Sequence, residues 1–146
     1  MSGTPDPHDL QRFVDAQDDL RTYDTAISEL RAGRKSSHWM WFVLPQLAGL
    51  GMSSTAQHFG IHGLAEARAY LAHPVLGPRL RDCARALADL DTGDPVAVLG
   101  PVDALKLRSS MTLFARAEPG EPVFRQVLEQ YYDGAEDPAT VSLLGP

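Results

Sequence analysis

Four short segments of this chain carry residue types from which a site could be built. In Lys106-Leu107-Arg108-Ser109-Ser110, Lys106 and Ser110 are one helical turn apart and share a face, with Ser109 beside them. The stretch 104–117 around them is apolar on nearly every side. Ala104, Leu107, Met111, Phe114 and Ala115 form one wide arc, and Leu105 and Leu113 fall elsewhere. A helix of that pattern belongs in the centre of a domain. A buried ammonium is costly unless paired. Lys106 therefore either finds a carboxylate, with the serines bonding back to carbonyls, or lines a cavity that holds an anion.

His38-Trp39-Met40-Trp41 offers two large flat rings, either as core or as a stacking platform. On a helix the two indoles point about 160° apart, so at most one faces a given pocket. Gly49-Leu50-Gly51 runs into Ser53-Ser54-Thr55, a turn followed by a helix start. Glycines allow close approach of backbone to a ligand, and free N–H groups favour anions. The segment is neither a Walker loop nor a dinucleotide fingerprint, since no Gly-Lys-Ser/Thr follows and the third glycine is missing. His58 and His62 have the spacing of a two-histidine metal site, but Gly60 interrupts them and no Glu follows His58. No Gly-x-Ser-x-Gly elbow is present, and Cys83 has no activating neighbour.

The elements that must position these residues read as helices. Asp9 to Gln17 forms a first one, with Leu10, Phe13 and Val14 on one side. A second, capped by Asp18 or Asp19, carries a stripe of Leu20, Tyr23, Ile27 and Leu30 and ends at Gly33. Ser36 and Ser37 are good caps for a helix through the tryptophans, stopped by Pro45. Further helices are expected over 54–59, 63–73, 79–90, 95–99 and 104–117, then from Pro122 through Tyr131 and from Pro138 to near Leu144. His73 before Pro74 reads as a cap. Nothing alternates with period two for long enough to make a sheet.

The 146 residues fit one domain, with 44% hydrophobic and 22% charged residues. No apolar run approaches the roughly 18–20 residues of a membrane span, and Met1 to Pro7 has no signal-peptide pattern. A single cysteine favours a reducing compartment, so the expected location is the cytoplasm. A net charge of −6 argues against broad nucleic-acid binding, although Arg79, Arg81 and Arg85 could form a local basic patch. Of the basic residues only Lys35 and Lys106 are lysines, and the Arg-rich usage fits a GC-rich genome. Lys35 falls in a turn, so Lys106 draws the attention.

Several blocks in order also resemble a bacterial family, domain of unknown function 1810. They are Asp9-Leu10-Gln11-Arg12-Phe13-Val14, Ser37-His38-Trp39-Met40-Trp41-Phe42 with Pro45-Gln46, Ala69-Tyr70-Leu71 through Leu80, and Lys106 through Phe114. The resemblance implies an all-α single domain and marks the His-Trp-x-Trp and Lys-x-x-Ser-Ser blocks as signatures. It supplies no catalytic residue.

The reading is an all-α domain over 8–146 of about seven to nine short helices around 104–117, after a disordered tail over 1–7. Two functions stand. The first is a pocket for an anionic, nucleotide-like small molecule, lined by His38, Trp39, Trp41, Gln46, Gly49, Gly51, Ser53, Lys106, Ser109 and Ser110. It predicts an open cavity touching Lys106 and a tryptophan. The second is a non-enzymatic interaction module, in which Lys106 sits in an ion pair. A homodimer through Tyr131 and Tyr132 is a third idea. No metal, nucleic acid or membrane is expected as a partner, and the cofactor and oligomeric state stay open.

Overall fold

The computed structural model describes residues 6–145, so part of the expected tail, residues 1–5, lies outside the described residues. Asp6, at the end of that tail, turns its carboxylate back onto the N–H groups of Leu10 and Gln11, at 2.8 and 2.9 Å. It thereby covers the open start of α1 (Gln11–Asp18). The chain then makes a 3-10 turn (Asp19–Arg21) and enters α2 (Thr22–Ala32). Here Leu20 and Arg21 take left-handed backbone angles, φ 53° and 55°. That break swings Leu20 out to 89% exposure, so it leaves the stripe expected for it while Ile27 and Leu30 stay buried. Gly33, at φ 78°, closes α2 as the sequence indicated.

α3 (Met40–Val43) is a single turn, shorter than the helix expected from Ser36. The reason is that the N–H groups of Ser36 and Ser37 donate to the Glu29 carboxylate and so do not start a helix. α4 (Ser54–His58) follows, with Ser53 accepting from the Ala56 N–H. Between α3 and α4's far side, Leu47 and Ile61 form an isolated parallel bridge, with no strand among the described residues. Gly60 permits it, because a Cβ there would come within 2.8 Å of Ala48.

α5 (Leu64–Ala72) and α6 (Leu76–Ala88) are joined through His73, whose Nδ1 accepts from the N–H groups of Val75 and Leu76. α6 starts three residues before the expected Arg79, with Pro78 in its first turn. At that position the missing N–H has no partner inside the helix to lose. Asp94 caps α7 (Pro95–Leu99), and Gly100, at φ 85°, turns the chain into α8 (Pro101–Ala117). α9 (Pro122–Tyr132) and α10 (Pro138–Leu144) complete the chain, the latter capped by Asp137. Among the described residues there are thus ten α-helices, of which α3, α4 and α7 are single turns.

α8 is the centre, as its wide apolar arc predicted, although Leu105, on another side of it, faces solvent. It packs against α5, α7, α9 and α10 and buries Leu107, Met111, Leu113 and Phe114 completely. Phe114 continues into an aromatic chain through Tyr70 to Phe13, with successive centroids 5.4 and 5.1 Å apart. Arg12 ties the N-terminal helix down. It donates to the carbonyls of His8, Asp9, His58 and Gly60 and pairs with buried Glu66 at 2.8 Å. No helix among the described residues is long and apolar enough to cross a membrane.

Candidate functional site

The two lysines of the chain meet at one carboxylate. Asp103 lies in the first turn of α8, and Lys106 follows it by one turn. Lys35, just beyond α2, reaches the Oδ2 of Asp103 at 2.7 Å and donates to the Ser37 carbonyl at 2.5 Å. Its backbone N–H is fixed by the Val98 carbonyl of α7. Lys106 reaches the Oδ1 of Asp103 at 3.4 Å. Each ammonium also faces an indole: Lys35 lies 5.0 Å from the Trp39 ring and Lys106 4.2 Å from Trp41. The order across the site is therefore Trp39, Lys35, Asp103, Lys106, Trp41.

Lys35, read as a plain turn residue, is the more buried of the two, its side chain 8% exposed against 21% for Lys106. Its partner is far along the chain, so local sequence carries no signal for it.

A second carboxylate, Glu29 of α2, organises the approach to Trp39. Its Oε1 accepts from the Ser36 and Ser37 N–H groups and from the Trp39 indole N–H at 2.9 Å. Its Oε2 accepts from both serine hydroxyls. Partial burial alone would push this carboxyl up, but the donors from Ser37, Ser36 and Trp39 outweigh it and hold it down at about 2. Glu29 was not among the sequence candidates. The run Ser36-Ser37 was the available signal, and it was read as a helix cap.

The other expected site residues scatter. Trp39 is fully buried, so it cannot stack on a ligand, while Trp41 is half-buried and His38 exposed. Gln46 and Gly51 line a recess beside Trp41 of about 10 Å³, the room of roughly one water. Gly51 serves its own helix start, since a Cβ there would lie 2.6 Å from Ala56. Gly49 packs beside Leu143, and Ser53 caps α4. The Ser109 hydroxyl donates to the Leu105 carbonyl and to Asp137. Ser110 is fully buried, and its hydroxyl has no partner. Lys106 lines neither the Trp41 recess nor two cavities of about 510 and 400 Å³ around the end of α10.

Other candidates are absorbed into the fold. His58 packs edge-on against Phe59 and His62 meets Glu66. Among the described residues no three His, Cys, Asp or Glu side chains are grouped to hold a metal. Arg79 pairs with Asp18, Arg81 with Glu118 and Glu121, and Arg85 with Asp82, so these arginines form no free basic patch. Tyr131 is buried and donates to the Leu87 carbonyl, and Tyr132 donates to that of Ala104, so neither presents an open aromatic face. Burial pushes the Cys83 thiol up to about 12, against a hydrogen bond with Tyr23 that lowers it.

What fold and site define is a small all-helical domain built on one central helix, with a lysine–carboxylate–lysine clamp between two tryptophans. The chain belongs to the family described as protein of unknown function (DUF1810), whose model matches residues 7–144. It is similar to the conserved hypothetical protein Rv1873 from Mycobacterium tuberculosis, known from a crystal structure. The TM-score is 0.92 and the identity 52%, over 95% of this chain and 98% of that one. No curated protein matches it.

Proposed function

We propose that the protein is a binding module whose contact surface for a partner protein is the outer edge of the clamp: Trp41, Lys106, Val102 and Leu105. One observation carries this reading. Lys106 is already engaged by Asp103 and the Trp41 ring, while Val102 and Leu105 beside it on α8 are 64% and 67% exposed. Val102 and Lys106 are one turn apart, so the apolar residues and the lysine–tryptophan pair are continuous. A half-buried tryptophan with flanking apolar side chains and a cation is the make-up of an interface anchor. The inner half of the clamp, with Lys35, Trp39 and Glu29, holds α2, α3 and α8 in register.

The reading of an anionic small molecule keeps one supporting observation. Two ammoniums share one carboxylate, leaving a positive charge at Lys106, the more exposed of them.

The test is affinity capture from cells of the source organism with wild type, Leu105→Asp and Leu20→Asp, followed by titration of purified components. A partner held by wild type and Leu20→Asp but lost from Leu105→Asp supports the interface. In parallel, a panel of nucleotides and phosphorylated metabolites is screened by thermal shift. A compound at a hundred times its Kd adds about 2.7 kcal/mol. Stabilisation of wild type that is absent from folded Lys106→Met would overturn the interface reading in favour of the small anion.

A further inference from the structure

The cavity of about 400 Å³ at the far end of α8 has a different character from the clamp. It is lined by Leu64, Ala115, Pro119 and Leu144 and rimmed by Arg116, Arg125 and Glu136. Arg116 takes Glu136 in a two-point contact, Nη2 to Oε1 at 2.8 Å and Nε to Oε2 at 2.9 Å. Arg125 makes one long contact to the same carboxylate, at 3.4 Å, and its side chain is 44% exposed. Arg108 is close by, held on the Ala135 and Glu136 carbonyls. The rim thus carries an excess of positive charge on a protein whose net charge is −6. Leu64 and Leu144 also line the adjoining groove of about 510 Å³, whose other walls include Leu47, Ile61 and Leu143. The pair joins a cationic mouth to an open trough whose apolar surface comes from Leu64, Leu143 and Leu144, with His62 also on its wall and Leu47 and Ile61 buried beneath it.

We infer that this face binds an amphipathic anion, a hydrocarbon chain bearing one carboxylate or phosphate. The head group sits on Arg125 and Arg116, and the chain runs over Leu64 and Leu144 into the groove. Arg125 supplies the free donors, because Arg116 already spends two of its own on Glu136. The distal turn of α10 forms the wall between the two spaces. It is fixed at its start, where Asp137 binds Ser109 and Thr140, and at its end Leu144 packs against the core while Leu143 stays more than half exposed beside Gly49.

The experiment is titration calorimetry on the full chain with decanoate and decyl phosphate below their micelle concentrations, with decanol and inorganic phosphate as controls. Both amphiphiles bind saturably, and Arg125→Gln weakens them about tenfold, the loss of one charge-assisted contact. Amide shifts in wild type move at Leu64, Ala115 and Leu144, which locates the site without a variant. Decanol binding as tightly as decanoate removes the role of the arginines and overturns the proposal. So does inorganic phosphate binding as well as decyl phosphate, which removes the role of the trough. Arg125-dependent sedimentation with anionic phospholipid vesicles, without binding of monomeric decanoate, overturns it in favour of a membrane surface.

Discussion

At the scale of single residues, burial separates two lysines that look alike in the sequence. Lys35 is nearly sealed against Asp103 and Trp39, so Lys35→Met leaves buried polar groups short of a partner and costs about 3 kcal/mol in urea unfolding. Lys106 keeps contact with water, and Lys106→Met costs under about 1 kcal/mol. The reverse order of midpoints would sink this account of the clamp. Glu29 sets an acid limit. Its folded value of about 2 lies below the ordinary 4.5, so its contribution is fully present above pH 4.5 and is lost as pH falls from there towards 2. Glu136, held low by its bond to Arg116, acts in the same sense. Glu29→Gln flattens stability against pH across that window and costs about 2 kcal/mol at neutral pH. Urea midpoints taken across the acid range decide it, and an unchanged slope removes Glu29 from the explanation.

At the scale of elements, what was legible in the sequence was whatever local chemistry controls. Gly33, Asp94-Pro95 and Asp137-Pro138 mark helix ends by their own side chains and backbone freedom, and the structure has them so. The burial of α8 from Leu107 onward was also legible in its wide apolar arc, whereas Leu105, which extended that pattern to another side, is exposed. What stayed hidden depends on distant partners. Ser36 and Ser37 look like caps until Glu29 claims their N–H groups, and Lys35 looks idle until α8 brings Asp103 to it. Of the expected site, Trp39, Trp41 and Lys106 come together, whereas Ser109 turns to Asp137 and Gly49 to Leu143. The break at Leu20 and Arg21 had no glycine to announce it. Leu20 holds φ 53° with its side chain in solvent, so Leu20→Gly relieves backbone strain without losing packing. It stabilises by about 0.5–1 kcal/mol, the strain being partly offset by the greater entropy of unfolded glycine. A lower thermal midpoint for this variant contradicts the strain argument.

At the scale of the whole molecule, one core runs from Phe13 on α1 to Phe124 on α9, and Cys83 lies inside it. With its pKa pushed up to about 12 and no exposed surface, the thiol reacts only when the protein opens. Alkylation by iodoacetamide in native buffer is slower than for a free thiol by roughly a thousandfold or more, as expected for a stable domain. Labelling at the free-thiol rate would mean that α6 opens independently of the rest. The distribution of charge is also a whole-molecule property. The chain is acidic in sum, yet its arginines on α8 and α9 converge on the 135–136 segment, and composition alone gave no hint of that.

The pairing of both lysines with both tryptophans gives the protein a built-in optical gauge. The chain has two indoles, and they stand on either side of one carboxylate. Trp39, sealed and bonded to Glu29, emits from an environment without water, while half-buried Trp41 emits further to the red. Anything that lands on the Lys106 edge alters the second emission and leaves the first alone. Loosening of the clamp moves both. Binding and unfolding can therefore be told apart in one cuvette, with no label added.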